Sequence, residues 1–499
     1  MISEKVNQLL FDDVKDQAKI ALICLTNTLF SILPVGYHMV VLNVPEKVIQ
    51  DFYKNSFENV FGIVITTNGN SLLWSLTIAL QGIGALFGCF FVPTFSQYGT
   101  KHVMMSLNSG ILIVGSLMMT FSYWLSLPPI FMLGRFLTGI YTGIACAYVP
   151  LYLQEVAPAN MKSTLSCFLH IAVCFGASIA AVLSLPFMLG SASTWNYLMG
   201  FPVVFGICLL LAADYVPETP NFLLQSGQFT NAIESIRFYY EILNEDEEET
   251  VSEYRHLVPE SHSQVTLRAA LRDPATRRGI LLGMVVSAAQ IFSGSMVSIS
   301  YSTNMFEAVS FMDSLIPFLP ALGSIISIIM TIPAMKLVET YSRRLLLIRT
   351  LLLCIMSNLF FLIFTVLSQP DSIWTSWLFA IAYFTYGIGY NLGVGPVAYF
   401  LPAELVSREA ASCSLGASVA TNWICTILTT FFYYPLSVSI GGWSYLMFIV
   451  PTSIFVLIIW KFLPETVNSY KEDPLEIRLM NDLGTGYGTT ERCGSPTLF

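Results

Sequence analysis

Charge is what this chain of 499 residues has least of. Only 11% of its residues are Asp, Glu, Lys or Arg, against about a quarter in water-soluble domains, and 55% are hydrophobic. Water alone is therefore not its solvent. Cysteine is present ten times but never as Cys-x-x-Cys, and nine of the ten lie in apolar runs or at their ends, with Cys493 in the tail. That pattern excludes a disulfide framework or metal centre as the first reading and favours buried free thiols. No Asn-x-Ser/Thr sequon occurs, so N-glycosylation is not expected. His-Glu-x-x-His and phosphate-loop sequences are missing. Gly387-x-Gly389-x-x-x-Gly393 has the wrong spacing for a nucleotide loop and lies inside an apolar run, where glycines serve packing. The chain reads as a non-enzyme that needs no cofactor. Its net charge of -9 comes largely from the acidic run at 245–249, a solvated segment that does not suit nucleic acid.

Long apolar runs are abundant. A helix crossing the hydrocarbon core needs about 20 residues. Twelve stretches qualify, at about 18–42, 71–95, 103–124, 128–153, 164–188, 194–216, 279–305, 313–337, 346–368, 373–402, 409–434 and 441–463. The first is longer than a signal-peptide core and follows a polar lead, so it reads as an anchor. Of 23 Lys and Arg, only Lys47 and Lys54 fall in outer loops if the N-terminus is inside; Arg135 lies in the fourth span. The remaining twenty are then cytoplasmic, as the positive-inside rule requires, and an even span count puts the C-terminus inside too. The expectation is an all-α membrane protein: a cytoplasmic lead (1–17, amphipathic or disordered), a six-helix half (18–216), a linker with helical patches at 230–243 and 265–272 (217–276), a second six-helix half (277–463) and a disordered cytoplasmic tail (464–499).

The halves repeat one plan. Tyr98-Gly-Thr-Lys101 answers Tyr341-Ser-Arg-Arg344, Glu155 answers Glu404, and Pro217-Glu-Thr answers Pro464-Glu-Thr, at offsets of 243, 249 and 247. Such repeats in carriers place a solute site at the bilayer midplane between halves that rock. Gly84-xxx-Gly88 and Gly139-xxx-Gly143 predict close helix approach. In the stretch 387–404, Gly393, Gly395 and Pro396 make a continuous helix unfavourable, with Asn391 and Tyr399 as the polar residues at the break.

Over about 18–470 the chain resembles the GLUT-type hexose facilitators of the major facilitator superfamily. The strings that carry this are Gly36-Tyr37, Asn43-x-Pro45-x-Lys47, Gly134-Arg135-Phe136, Val149-Pro-x-Tyr152-x-x-Glu155, Pro217-Glu-x-Pro220, Gln290-x-x-Ser293-Gly294, Tyr301-Ser-Thr303, Arg343-Arg344, Ala403-Glu404-Leu405 and Asn422-Trp423. The resemblance implies the major facilitator fold and a facilitative carrier of a hexose or related polyol. Gln290 and Asn422 keep the family's sugar-contacting residues. His170 stands at a family Gln, Ile291 at the second Gln of a pair, Met296 at an Asn and Ser327 at an Asn. Asn391 stands at a Glu and Tyr399 at a Trp. Ile291 and Met296 each remove a polar partner. A buried polar group left unpaired costs about 1–3 kcal/mol, so either the solute is less polar or His170, Asn391 and Tyr399 compensate. Trp423 is an aromatic candidate for the solute path.

By the same resemblance Glu155, Lys162, Glu339, Arg343, Arg344, Glu404 and Arg408 belong to a cytoplasmic gate of ion pairs between the halves. The alternative for the cations is headgroup contact and topology. The gate is thinned: Lys101 stands without the usual arginine pair, and Asn221 and Ala411 replace family arginines. Arg135 is either functional or paired with helix-end carbonyls. His38 occupies the position of an Asp in proton-coupled relatives, so it is either a proton-linked group or a neutral hydrogen-bonding imidazole. A carrier for another organic solute, a proton symporter and a non-transporting sensor on this fold remain the alternatives. The expected surroundings are a small solute and a lipid bilayer, the plasma membrane first; oligomeric state is not legible.

Overall fold

The computed structural model describes residues 2–157, 162–240, 251, 267–368, 373–407 and 410–465, and no strand occurs among them. The first half comprises α1 (Ile2–Val40), α2 (Glu46–Phe61), α3 (Thr67–Phe95), α4 (Asn108–Leu125), α5 (Pro128–Val156), α6 (Lys162–Leu183), α7 (Trp195–Gly200) and α8 (Val203–Ala213). The connection carries α9 (Pro220–Gln225), α10 (Phe229–Tyr240) and α11 (Leu267–Ala270). The second half comprises α12 (Pro274–Phe292), α13 (Ser295–Ser300), α14 (Ser302–Glu307), α15 (Phe318–Thr340), α16 (Arg343–Leu367), α17 (Ile373–Gly389), α18 (Gly395–Glu404), α19 (Ala411–Ile440) and α20 (Leu446–Phe462).

By length and composition, nine segments among the described residues can cross a membrane, and one of them, 411–462, holds both α19 and α20. The fifth expected span is the shorter apolar helix Phe168–Leu183 within α6. The tenth is α17 and α18, joined without a gap by the π-turn Tyr390–Val394. With these, twelve crossings follow the expected order. One boundary differs from the sequence reading. Helix α1 starts at Ile2, so residues 2–17 are helical and continuous with the first span. In the linker, α10 and α11 lie close to the expected patches and α9 is an additional short helix, while the acidic run 245–249 and the tail from 466 lie outside the described residues.

Close packing explains why small residues recur. A β-carbon on Gly84 would overlap the Phe136 carbonyl and come within 2.9 Å of the Gly139 Cα, so α3 and α5 cross backbone against backbone. Helix α3 also packs along α19, and α6 along α15; these contacts join the halves.

The repeated landmarks meet one another. Glu218 accepts hydrogen bonds from the backbone amides of Lys101 (2.7 Å), His102 (3.0 Å) and Thr219 (3.0 Å). Glu465 accepts from the Arg343 amide (3.1 Å) and the Ser342 hydroxyl. Each carboxylate thus satisfies free amides at a helix start, where negative charge is also favoured by the helix dipole. Pro-Glu-Thr recurs because each half needs this cap.

Candidate functional site

The stretch 387–404 is not broken open as the sequence suggests. Helix α17 passes through a π-turn, Tyr390–Val394, directly into α18, with the Gly395 amide donating to the Tyr390 carbonyl. One wider turn absorbs the mismatch, and Pro396 sits in the first turn of α18, where its missing N–H costs nothing. The real break is in the seventh span. Gly294, with φ of 99°, separates α12 from α13, a left-handed conformation that L-residues with a β-carbon rarely adopt. Ser293 and Ser295 fold their hydroxyls back onto the Gln290 carbonyl at 2.6 and 3.0 Å. The local signal for a conformational role at Gly294 is the Ser293-Gly294-Ser295 triplet, a turn-favouring sequence inside a membrane span.

These two irregularities hold the polar side chains between the halves. The Asn391 amide donates to the Gly387 carbonyl (2.7 Å) and to Ser327 Oγ (3.0 Å). Because a carbonyl can only accept, this fixes the amide's orientation and turns Asn391 Oδ1 toward His170 Nε2 at 3.1 Å. That ring nitrogen must then carry the proton, which leaves His170 Nδ1 as an acceptor, buried and without a partner. Cys174, one turn on, lies 3.7 Å from both groups. Beside this chain, Gln290 accepts from Asn422 at 2.8 Å and donates to the Tyr390 hydroxyl at 3.2 Å. The rings of Tyr390 and Tyr399 flank His170, with Tyr399 at 5.9 Å between centroids. A narrow crevice beside it is lined by His170, Thr331, Met335, Val338 and Pro396.

The structure therefore brings together His170, Gln290, Ser327, Asn391, Tyr399 and Asn422. Ile291 and Met296 are elsewhere, in a small apolar cluster with Ala288, Cys425 and Phe455. Trp423 is buried one residue from Asn422 but has no described contact with the cluster. Cys174 and Tyr390 join the site without having been read from the sequence. Cys174 stands one helical turn from His170 and Tyr390 precedes Asn391, so helical spacing is the only signal that could have found them.

At the linker end, Arg343 and Glu404 form an ion pair at 3.0 Å, and Phe400 lies under the guanidinium. Both belong to the second half. Glu155 accepts from Thr219 Oγ1 at 2.7 Å, at the start of the linker, and Arg344 donates to the Trp460 carbonyl. The Lys162 and Glu339 side chains and Arg408 lie outside the described residues. Arg135 is fully buried and donates to the His38 carbonyl at 2.7 Å, near the end of α1, which is the structural alternative raised from sequence. The His38 ring is buried and neither of its nitrogens has a partner.

Comparison with known proteins adds to this geometry. The chain matches the family model described as "Sugar (and other) transporter" over residues 23–474. It is 27% identical over 441 residues to solute carrier family 2, facilitated glucose transporter member 1 of Gallus gallus, covering 87% of this chain and 88% of that protein. It is 26% identical over 445 residues to member 3 of Rattus norvegicus, covering 88% of each. Among solved structures, the xylose transporter XylE from E. coli in a partially occluded inward-open conformation matches with a TM-score of 0.70 at 19% identity, over 89% of this chain and 100% of that one. The XylE structure described as a major facilitator superfamily proton:xylose symporter bound to 6-bromo-6-deoxy-D-glucose matches with a TM-score of 0.67 at 18% identity, over 91% and 97%. At such identities the structural likeness establishes the fold, which is that of the major facilitator superfamily.

Proposed function

Because the chain belongs to the sugar (and other) transporter family, we propose that it is a facilitative carrier of a hexose or related polyol, working by alternating access between its two six-helix halves. The relatives named as facilitated glucose transporters support the solute class. The observation that carries the reading is the His170–Asn391 hydrogen bond, which joins α6 of one half to the π-turn of the other.

A hydroxyl both donates and accepts. His170 Nδ1 can take a hydroxyl proton, and the amides of Asn391, Gln290 and Asn422 offer both donors and acceptors. When no sugar is bound Asn391, Gln290, Asn422 and His170 Nε2 satisfy one another and only His170 Nδ1 is left without a partner, so closing the empty carrier strands few buried polar atoms at about 1–3 kcal/mol each. A uniporter must return empty, and a neutral, self-satisfied network makes that return cheap. This favours uniport over obligatory coupling.

The gate at the linker end consists, in this reading, of Arg343, Arg344, Glu155 and Glu404, with Lys162, Glu339 and Arg408 as further members. The linker end faces the cytoplasm with both termini, the α2 end faces outward, and the plasma membrane is the expected location. A transport protein of this kind performs no catalysis. A second reading, proton linkage through His38, has one observation in its favour: a buried imidazole with both nitrogens unpartnered.

Uptake of labelled glucose, fructose, galactose and a polyol into liposomes, with and without an inward proton gradient, tests these readings. Saturable uptake of one hexose, indifferent to the gradient, is the expected result. Accumulation driven by the gradient and abolished by His38→Asn selects the symporter. No uptake of any sugar by folded protein overturns the proposal in favour of another solute or a sensor.

A further inference from the structure

Glu46 is the first residue of α2 and is only 5% exposed. Gln50, one turn on, donates to Glu46 Oε1 at 3.0 Å and to the Tyr434 hydroxyl at 3.1 Å, and its carbonyl accepts from Asn70 at 3.0 Å. One amide therefore ties α2 and α3 of the first half to α19 of the second. Around it the same end is bonded shut. Lys47 pairs with Glu307 of α14 at 2.9 Å. Asn43 accepts from the Thr303 amide at 3.0 Å and donates to Ser302 and to the Ile299 carbonyl. Ser300 donates to the Met39 carbonyl at 3.3 Å. The Glu46 carboxyl is sealed inside this junction, and its Oε2 is buried without a hydrogen-bond partner.

A carboxylate accepts at about four positions, and here two donors are described, the Gln50 amide and the Tyr434 hydroxyl, so the group is only partly satisfied. The charged groups that face it are Lys47 on its own helix, Glu307 from α14 and, beyond Lys47, Asp313; the phenols of Tyr301, Tyr433 and Tyr434 complete the surroundings. The single ammonium is engaged by Glu307, so a second anion is poorly compensated. Burial pushes the carboxyl from 4.5 up to about 8, and the Glu307 charge adds to the rise; the hydrogen bonds from Tyr434 and Gln50, the Lys47 charge and the helix start favour the ionised form but do not prevail.

We infer that Glu46 is a proton-binding site of the extracellular gate: closing the α2 end takes up one proton from the outside medium, and opening it returns that proton to the same side. The inference rests on the alternating-access reading. It moves no proton across the membrane, so it is distinct from symport. The open form, with Glu46 in water, regains an ordinary carboxyl. Below the ordinary carboxyl range both forms are protonated and closure is fully favoured. As external pH rises from there to about 8 the open form gives up its proton first, and closure is progressively lost, by up to ~10-fold per pH unit. Above that, both forms are ionised and the effect is spent.

The test combines two readouts on the full-length protein. An infrared pH titration should show a protonated buried carboxyl band that persists above pH 6 and is missing in Glu46→Gln. In liposomes, initial sugar uptake at fixed internal pH should change at least ~10-fold between external pH 5 and 8, and Glu46→Gln should be flat and resemble the wild type at acid pH. A wild type without that band, or a variant with the wild-type pH profile, overturns the inference. Wild type that carries no sugar at any pH but shows the Glu46-dependent band defeats the transport reading and leaves the proton site standing.

Discussion

Replacing Asn391 by Leu keeps the branched shape, adds volume and removes the amide. The structure says which groups then lose a partner. Ser327 still donates to the Gly323 carbonyl at 2.9 Å. The His170 Nε2 proton, on a ring only 6% exposed, loses its acceptor. An orphaned buried donor costs about 1–3 kcal/mol, equivalent to ~5- to 150-fold in an equilibrium. His170→Ala removes the other end of the same bond. If the bond acts as argued, the two changes are not independent: the double variant should be at least ~5-fold more active than the product of the single effects, a coupling of about 1 kcal/mol or more. The assay is the first-order uptake constant at low sugar concentration for wild type, both single variants and the double variant, each normalised to monodisperse protein. Effects that multiply to within twofold would refute the claim that His170 and Asn391 work as one unit across the halves.

Three further outcomes are expected. The Arg343–Glu404 pair is largely buried, with side chains 15% and 10% exposed, so Arg343→Ala should cost about 3–5 kcal/mol in the conformation that holds it; maximal uptake should fall at least several-fold, and exchanging the two charges should recover part of it. Gly139→Leu should abolish the yield of monodisperse protein, because the α3–α5 crossing has no room for a side chain, whereas Gly110→Leu, with open space around it, should express normally by size-exclusion chromatography. Raising external pH from 5 toward 8 should weaken closure of the α2 end, since Glu46 carries a raised pKa in the closed form; a thiol-reactive probe at Asn43→Cys should label faster at the higher pH in an otherwise cysteine-free background.

The sequence alone determined the solvent, the number and order of crossings, the internal repeat and the family. These follow from local properties. A bilayer demands about 20 apolar residues per crossing, positive charge marks one side, and Pro217-Glu218-Thr219 and Pro464-Glu465-Thr466 recur because each half needs a carboxylate on the start of its third helix. Even Gly84 and Gly139 could be read, since close helix contact requires small residues at that spacing.

What only the tertiary structure decided is which way each residue faces and what stands opposite it. A π-turn at Tyr390 rotates everything after it relative to a regular helix, so the strain of Gly393-x-Gly395-Pro396 became a widened turn rather than a break. The break fell instead at Gly294, where a positive φ redirects the seventh span. Adjacent residues Gln290 and Ile291 separated into a polar network and an apolar cluster, because neighbours on a helix point about 100° apart. Glu46, next to the outer-loop Lys47, is buried because the second half, more than 250 residues away in sequence, closes over it through Tyr434 and Glu307. Hydropathy is a property of each segment, while burial, hydrogen-bond partners and titration belong to the contact between segments.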